Sequence, residues 1–298
     1  MKTSRIISAL VGILFMSIML YSCEKESNLQ NSVVSEAEES GFVDNTFESV
    51  IDDVDIITGL NDGAMSKSSD HFGPHPGNHM PGDSCAQITV EYPDGTPFPR
   101  IITVDFGSGC TRTFNGETIT KSGQIVISVT APMFEAGSVR TVTFVNFTIN
   151  DNLIEGKQII TNSGLNDKNQ PVMVHELENG QITTPEGAVI ERSHIRTRTM
   201  IEGFTTPREH MDDVFAISGS GFGINSDGVA YTNNITSELL LSHACPWFKQ
   251  GIVQHVTETD TIVINFGDGN CDNIATKSIN GSEPEEFELA RKHQRKDH

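Results

Sequence analysis

Three textures of apolar and polar positions succeed one another along the chain. From Ile6 to Leu20 nearly every position is apolar or small, with Lys2 and Arg5 in front and Ser22-Cys23 behind. A basic start followed by about fifteen such residues predicts a secretory leader over residues 1–22, because the run is short for a membrane span. The alternatives are an ordinary signal peptide cut elsewhere and an uncleaved N-terminal anchor. Farther on, Phe47, Val50, Ile51, Val54 and Ile57 recur at helical spacing, Asp44 to Thr46 offer capping side chains, and Gly59 comes next as a stop. That pattern predicts a short amphipathic helix at about 46–58. Its polar side is Asp and Glu rather than Lys and Arg, so it is read as docking on the adjoining domain and not on a membrane surface.

The third texture, from about Ile88 to Leu289, consists of short runs of Val, Ile, Thr and Phe broken by Asp94-Gly95, Asn115-Gly116, Asn179-Gly180, Glu186-Gly187, Asp227-Gly228 and Asn280-Gly281. Asn-Gly and Asp-Gly supply the positive backbone angles of tight hairpin turns. Strand-like runs so punctuated predict an all-β, antiparallel, hairpin-rich domain of about a dozen strands. Sandwich, barrel and elongated stack of hairpins all remain open. The organisation is then a leader (1–22), an acidic tether with the helix and a His/Pro/Gly linker (23–80), the β domain (81–290) and a basic tail (291–298).

The domain repeats itself at its ends. Cys85 is followed 21 residues later by Phe106 in Asp105-Phe106-Gly107-Ser108-Gly109-Cys110, and Cys245 is followed 21 residues later by Phe266 in Asn265-Phe266-Gly267-Asp268-Gly269-Asn270-Cys271. Equal offsets over a whole strand-turn-strand unit predict two related modules, 85–130 and 245–290. With Cys23 set aside, four cysteines remain in a chain destined for export, which predicts two structural disulfides, Cys85 with Cys110 and Cys245 with Cys271. Four cysteines permit three pairings, and this one matches the two modules.

Charge restricts the partners. Losing residues 1–22 removes Lys2 and Arg5 and no acid, so 18 Lys plus Arg face 40 Asp plus Glu, a formal charge of −22. Such a surface repels nucleic acid and anionic membrane faces. Leu20-Tyr21-Ser22-Cys23 resembles the lipobox of bacterial lipoproteins, which implies acylation of Cys23 and a membrane contact made by acyl chains.

Together with that lipobox, the acidic helix, the two Phe-Gly-x-Gly cysteine motifs, the run Gly137-Ser138-Val139-Arg140-Thr141-Val142-Thr143-Phe144 and Glu155-Gly156 make the chain similar to a set of uncharacterised lipoproteins of the Bacteroidota. The resemblance implies an outer-membrane lipoprotein on its periplasmic or cell-surface side. Glu24-Lys25-Glu26 resembles the acidic display signal of that phylum, and Asp260-Thr261-Ile262 resembles its O-glycosylation acceptor. No activity is implied.

Several constellations carry candidate chemistry. Arg192, His194, Arg196 and Arg198 are spaced by two, so on an extended strand they leave one face, with Ser193, Ile195, Thr197 and Thr199 on the other. Such a stripe suits an anionic glycan, because guanidiniums grip carboxylate, sulfate and phosphate in bidentate fashion. The plainer reading is a solvated face neutralised by Glu176 and Glu178 of the preceding strand. Trp247, with Phe248, offers an aromatic platform for a sugar or else packs beside Cys245.

His71, His75 and His79 recur every fourth residue, but Pro74, Pro76 and Pro81 forbid the helix that would align them for a metal, so the segment reads as a polar linker. Asp268, Asn270 and Asp272 open like a calcium loop and lack its later ligands. Ser218-Gly219-Ser220-Gly221-Phe222-Gly223 lacks the Lys of a phosphate loop and reads as a hairpin or bulge. His210 with Asp212 and Asp213 is the one dense acid/base cluster.

The expectation is a non-catalytic, cofactor-free and metal-free envelope module that binds glycan or another envelope polymer. A structural protein that engages other envelope proteins comes second, and a hydrolase third.

Overall fold

The computed structural model describes residues 36, 39–51, 53–55, 57–59, 85–114, 117–206, 210–245 and 247–289. Cys23 and its leader, the segment with His71, His75 and His79, the Asn115-Gly116 turn and the basic tail lie outside them. The domain is all-β and antiparallel, as the turn pattern predicts, and its strands form a single sheet. Its strands are β1 (Gln87–Glu91), β2 (Arg100–Asp105), β3 (Cys110–Phe114), β4 (Glu117–Val129), β5 (Val139–Ile149), β6 (Asn152–Leu165), β7 (Pro171–Thr183), β8 (Val189–Glu202), β9 (Val214–Ile224), β10 (Ala230–Ser242), β11 (Phe248–Val256), β12 (Thr261–Asp268), β13 (Ile274–Ile279) and β14 (Glu285–Glu288). Neighbours in sequence are neighbours in the sheet, except that β2 and β3 lie end to end along β4.

The helix, α1, comprises helical residues between 36 and 59, so it starts earlier than the apolar spacing alone indicates. Val43, Phe47, Val50, Ile51, Val54 and Ile57 are each 0–1% exposed and share one core with Ile102, Val104, Ile125, Ile127, Val142, Phe147, Ile154, Ile160, Leu177, Ile182 and Ile190 of the sheet. Complete burial of six such side chains contributes on the order of 10 kcal/mol, a sum comparable with the whole stability of a domain. α1 is therefore part of the core.

The helix runs across the strands. His255 of β11 lies 4.0 Å from Glu36, Asn233 of β10 lies 3.0 Å from Ser40, Gln158 of β6 donates to the Phe47 carbonyl at 3.1 Å, and Lys121 of β4 meets Asp53 at 2.6 Å. The seven inter-strand steps from β4 to β11 span roughly 34 Å, and the helix from 36 to 58 rises roughly 33 Å, so the two lengths match.

Residues 46–51 of α1 are buried without a break, which covers every direction around a helix. Burial of that kind needs a surface that curls, and bulges bend the strands. Register breaks interrupt the ladders from β4–β5 through β11–β12. At the first of them Gly123 has φ +75° and sits where a Cβ would collide with the backbone of Asn146, itself at φ 48°. Only glycine fits that crossing.

Both expected disulfides are present, with Cα–Cα separations of 5.6 Å for Cys85–Cys110 and 5.8 Å for Cys245–Cys271. Each closes the open end of a hairpin, β1–β2 in one case and β11–β12 in the other. The two modules diverge after that hairpin. Beyond β12 the chain reverses, and β13 pairs back on it. Beyond β2, Phe106 N donates to the Gly123 carbonyl at 2.9 Å and Gly123 N to the Gly107 carbonyl at 3.0 Å, which keeps the chain on β4 into β3.

Candidate functional site

The cationic stripe lies on one face of β8, as its spacing requires, and that face is the inner one. Arg192, His194, Arg196 and Arg198 are 1%, 6%, 5% and 4% exposed beneath α1. Arg192 donates through Nε to the Tyr231 hydroxyl at 2.8 Å, and its terminal nitrogens reach Asp44 Oδ1 at 2.6 Å and Ser40 Oγ at 2.9 Å. Arg196 reaches Asp44 at 2.9 Å and Glu48 at 3.4 Å, while Arg198 lies 3.2 Å from the other Glu48 oxygen. On β5, Arg140 pairs with Asp55 and donates to Thr58 Oγ1.

These acids correct the expected partners. Glu176 and Glu178 stand on the opposite face, where Glu178 meets Lys157 at 2.6 Å and Glu176 is registered against Ile195. The neutralising carboxylates come from the helix. Alternation along a strand separates two faces without saying which is covered, and α1 covers the charged one.

The electrostatics are those of a buried, matched network. Burial alone would raise the Asp44 carboxyl, but Arg192 and Arg196 outweigh it and hold the group below its ordinary value. Burial would lower Arg196, and Asp44 with Glu48 reverses this and raises it. Among the described residues no acid offsets burial at His175 and His194. Burial first, then neighbouring arginines, push both well below the ordinary imidazole value, so they stand neutral. His255 is lowered to about 4, mainly by burial and then by Arg192. The Asn233 amide donates to its Nδ1 at 2.8 Å and accepts from Arg192 at 3.1 Å.

Room for these large side chains is made on β9. In register, Arg196 faces Gly219, His194 faces Gly221 and Arg192 faces Gly223. A Cβ on Gly221 would stand 2.7 Å from the Ser193 carbonyl oxygen and 2.8 Å from His194 Cβ, and one on Gly223 would stand 2.6 Å from the Tyr231 hydroxyl. The Ser-Gly repeat is thus neither a hairpin nor a phosphate loop, and the bulge, its other reading, is present as the register break against β10 between Ile217 and Ser220. The repeat is the middle of a strand whose missing side chains admit the stripe, and its offset of two matches that of the cations.

The solvent side of the same strands has a different character. Ile195, Phe222 and Ile224 are exposed there, at 59%, 63% and 38%. Around Phe222, across β7 to β11, lies an open depression of about 710 Å³, with Ile224, Asn179, Gln181, Ser193 and Thr232 in its lining. Glu191 also lines it, as does the buried Arg192 from below. Sequence reasoning left this site unseen, although Ser193 and Ile195 were on the complementary face. An aromatic residue between glycines at Gly221-Phe222-Gly223 was the available signal.

The remaining candidates disperse. Trp247 is half-buried just before β11, at the far end of that strand from the depression. Phe248 packs edge-on against Phe266 with centroids 5.3 Å apart. Asp212 accepts from Thr206 at 2.6 Å, and Asp213 is buried 3.5 Å from His243, so the two carboxylates serve separate local contacts. Asp268 and Asp272 accept from Asn270 and from the Ile274 amide. Among the described residues no group of three or more His, Cys, Asp or Glu could hold a metal ion, and no helix is long and apolar enough to cross a membrane.

No protein family, no curated protein and no solved structure matches this chain.

Proposed function

We propose that the chain is a lipid-anchored, non-catalytic binding module of the bacterial cell envelope, held at the outer membrane through Cys23, which recognises a glycan or other envelope polymer. The observation that carries this reading is the exposed group of Ile195, Phe222 and Ile224 on strands whose opposite face is fully committed to the core. Large apolar side chains clustered in the open around a concavity are a feature of recognition surfaces. The stripe, closed over by α1, belongs to the fold, so recognition falls to the other face of the same strands.

The test is retention of the chain from Glu24 to His298 on immobilised envelope polymers, beside Phe222→Ser. Retention that the folded variant loses supports the reading. Equal retention of both proteins, or none on any polymer, contradicts it.

A structural role has one observation in its favour. Among the described residues β1 and β14 end the sheet, and each pairs with a strand on one side only. Such edges can accept a strand from another protein. Copurification of an envelope protein that is lost on Thr89→Pro in β1 would favour this second reading.

A further inference from the structure

We infer that the depression around Phe222 takes an uncharged saccharide, stacked on the phenyl ring and hydrogen-bonded by the amides and hydroxyls beside it. This rests on the binding-module reading and specifies the ligand of its surface. It also reverses the expectation of an anionic glycan that the arginine stripe suggests.

The first argument is chemical matching. A pyranose ring has an apolar face of C–H bonds and a rim of hydroxyls, each both donor and acceptor. Phe222 offers an exposed aromatic face for the first, and Ile224 extends it. Asn and Gln side chains carry donor and acceptor together, as Ser and Thr hydroxyls do, so Asn179, Gln181, Ser193 and Thr232 suit the second. Part of this rim is already oriented. Gln181 donates its amide nitrogen to Glu155 at 3.1 Å and Thr183 at 3.3 Å, which turns its oxygen away from those partners, and Ser193 Oγ accepts from the backbone N–H of Asn179 at 3.2 Å. The volume of about 710 Å³ falls within the range of small-ligand sites.

The second argument is charge. The cation in the lining is Arg192, whose side chain is 0% exposed and whose three nitrogens are engaged by Tyr231, Asp44 and Ser40. An incoming carboxylate or sulfate would find that guanidinium already matched and would face Glu191 in the wall. The formal charge of the chain without its leader, −22, adds a field of the same sign. A neutral ring meets neither penalty.

The experiment is affinity electrophoresis of the chain from Glu24 to His298 through gels holding one soluble polysaccharide each. Dextran, mannan, xylan and mixed-linkage β-glucan form the neutral arm, and alginate, polygalacturonate and dextran sulfate the acidic arm. Phe222→Ala and Glu191→Lys run beside it, with unchanged thermal melts as the folding control. We expect retardation by at least one neutral polymer, weakened about tenfold or more by Phe222→Ala. Acidic polymers should retard the native chain no more than a gel without polymer, and should begin to retard Glu191→Lys. Retardation by acidic polymers alone would overturn the inference and leave the binding-module reading standing. Neutral binding that Phe222→Ala leaves unchanged would overturn the site. Silence in both arms, with no retention on insoluble envelope material, would overturn inference and reading together.

Discussion

Asp44 and Arg192 meet at 2.6 Å across 148 residues of sequence, and the same carboxylate takes Arg196 at 2.9 Å. One helical acid thus fastens the N-terminal segment to the eighth strand of the sheet. Removing one partner of a buried ion pair leaves the other uncompensated, at about 3–5 kcal/mol. Asp44→Ala should lose that much in chemical denaturation. A variant as stable as the native chain would show that the pair is not closed in solution.

Acid should weaken the fold through its histidines. His175, His194 and His255 have folded values below the ordinary 6.5, so once pH falls below about 6.5 the unfolded chain binds more protons, and stability is lost with falling pH. Each contributes a slope of roughly 1.4 kcal/mol per pH unit, ending near pH 4 for His255. Asp44, also lowered, adds its loss only below its ordinary 3.8. Glu36, raised chiefly by burial and then by Asp260, Asp227 and Glu39, opposes the trend weakly. Denaturation midpoints should fall between pH 6.5 and 5, and His194→Gln should flatten the slope by about one proton. A profile flat over that range contradicts neutral buried histidines.

The glycine row of β9 should tolerate no side chain opposite the stripe. Gly221→Val places atoms where Ser193 and His194 already stand, and overpacking of this kind costs about 1–3 kcal/mol or more. Ser220→Val, on the solvent face of the same strand, should fall within about 0.5 kcal/mol of the native chain. Equal effects at the two positions in thermal melts would contradict the assignment of faces.

Each disulfide closes a loop of about 25 residues, which on the chain-entropy account is worth about 3–4 kcal/mol. Cys85→Ser with Cys110→Ser, and the corresponding pair at Cys245 and Cys271, should each lower stability by an amount of that order. Because the two hairpins lie far apart in the sheet, the losses should add in the fourfold variant. A strongly non-additive result would place the two modules in contact.

Much of this architecture was legible in the sequence. Asp94-Gly95, Glu186-Gly187, Asp227-Gly228 and Asn280-Gly281 fall at turns between paired strands, whereas Asn179-Gly180 lies inside β7 at a register break and is no hairpin, because positive φ serves bulges as well as turns. Phe47 to Ile57 reveal the helix because its apolar positions keep the helical period. The Arg192-to-Arg198 alternation announced a shared face. What covered that face was not legible, because strand spacing is silent on which side meets the core, and arginines enter a core only where acids distant in sequence arrive to meet them. Asp44 offers itself in the sequence as a capping side chain, and Glu48 as part of an acidic helix side. At the depression, Gly221-Phe222-Gly223 marks the aromatic residue in the sequence, but the walls depend on five strands coming into register, which that local pattern does not encode.

Amide hydrogen exchange across residues 43–51 tests most directly whether α1 is a core element that seals the arginine stripe. Protection in this segment equal to that of β5 to β8, lost in the same cooperative step, is the predicted result. Exchange at the rate of free chain while the sheet stays protected would contradict it, and would return Arg192, Arg196 and Arg198 to solvent and to anionic ligands.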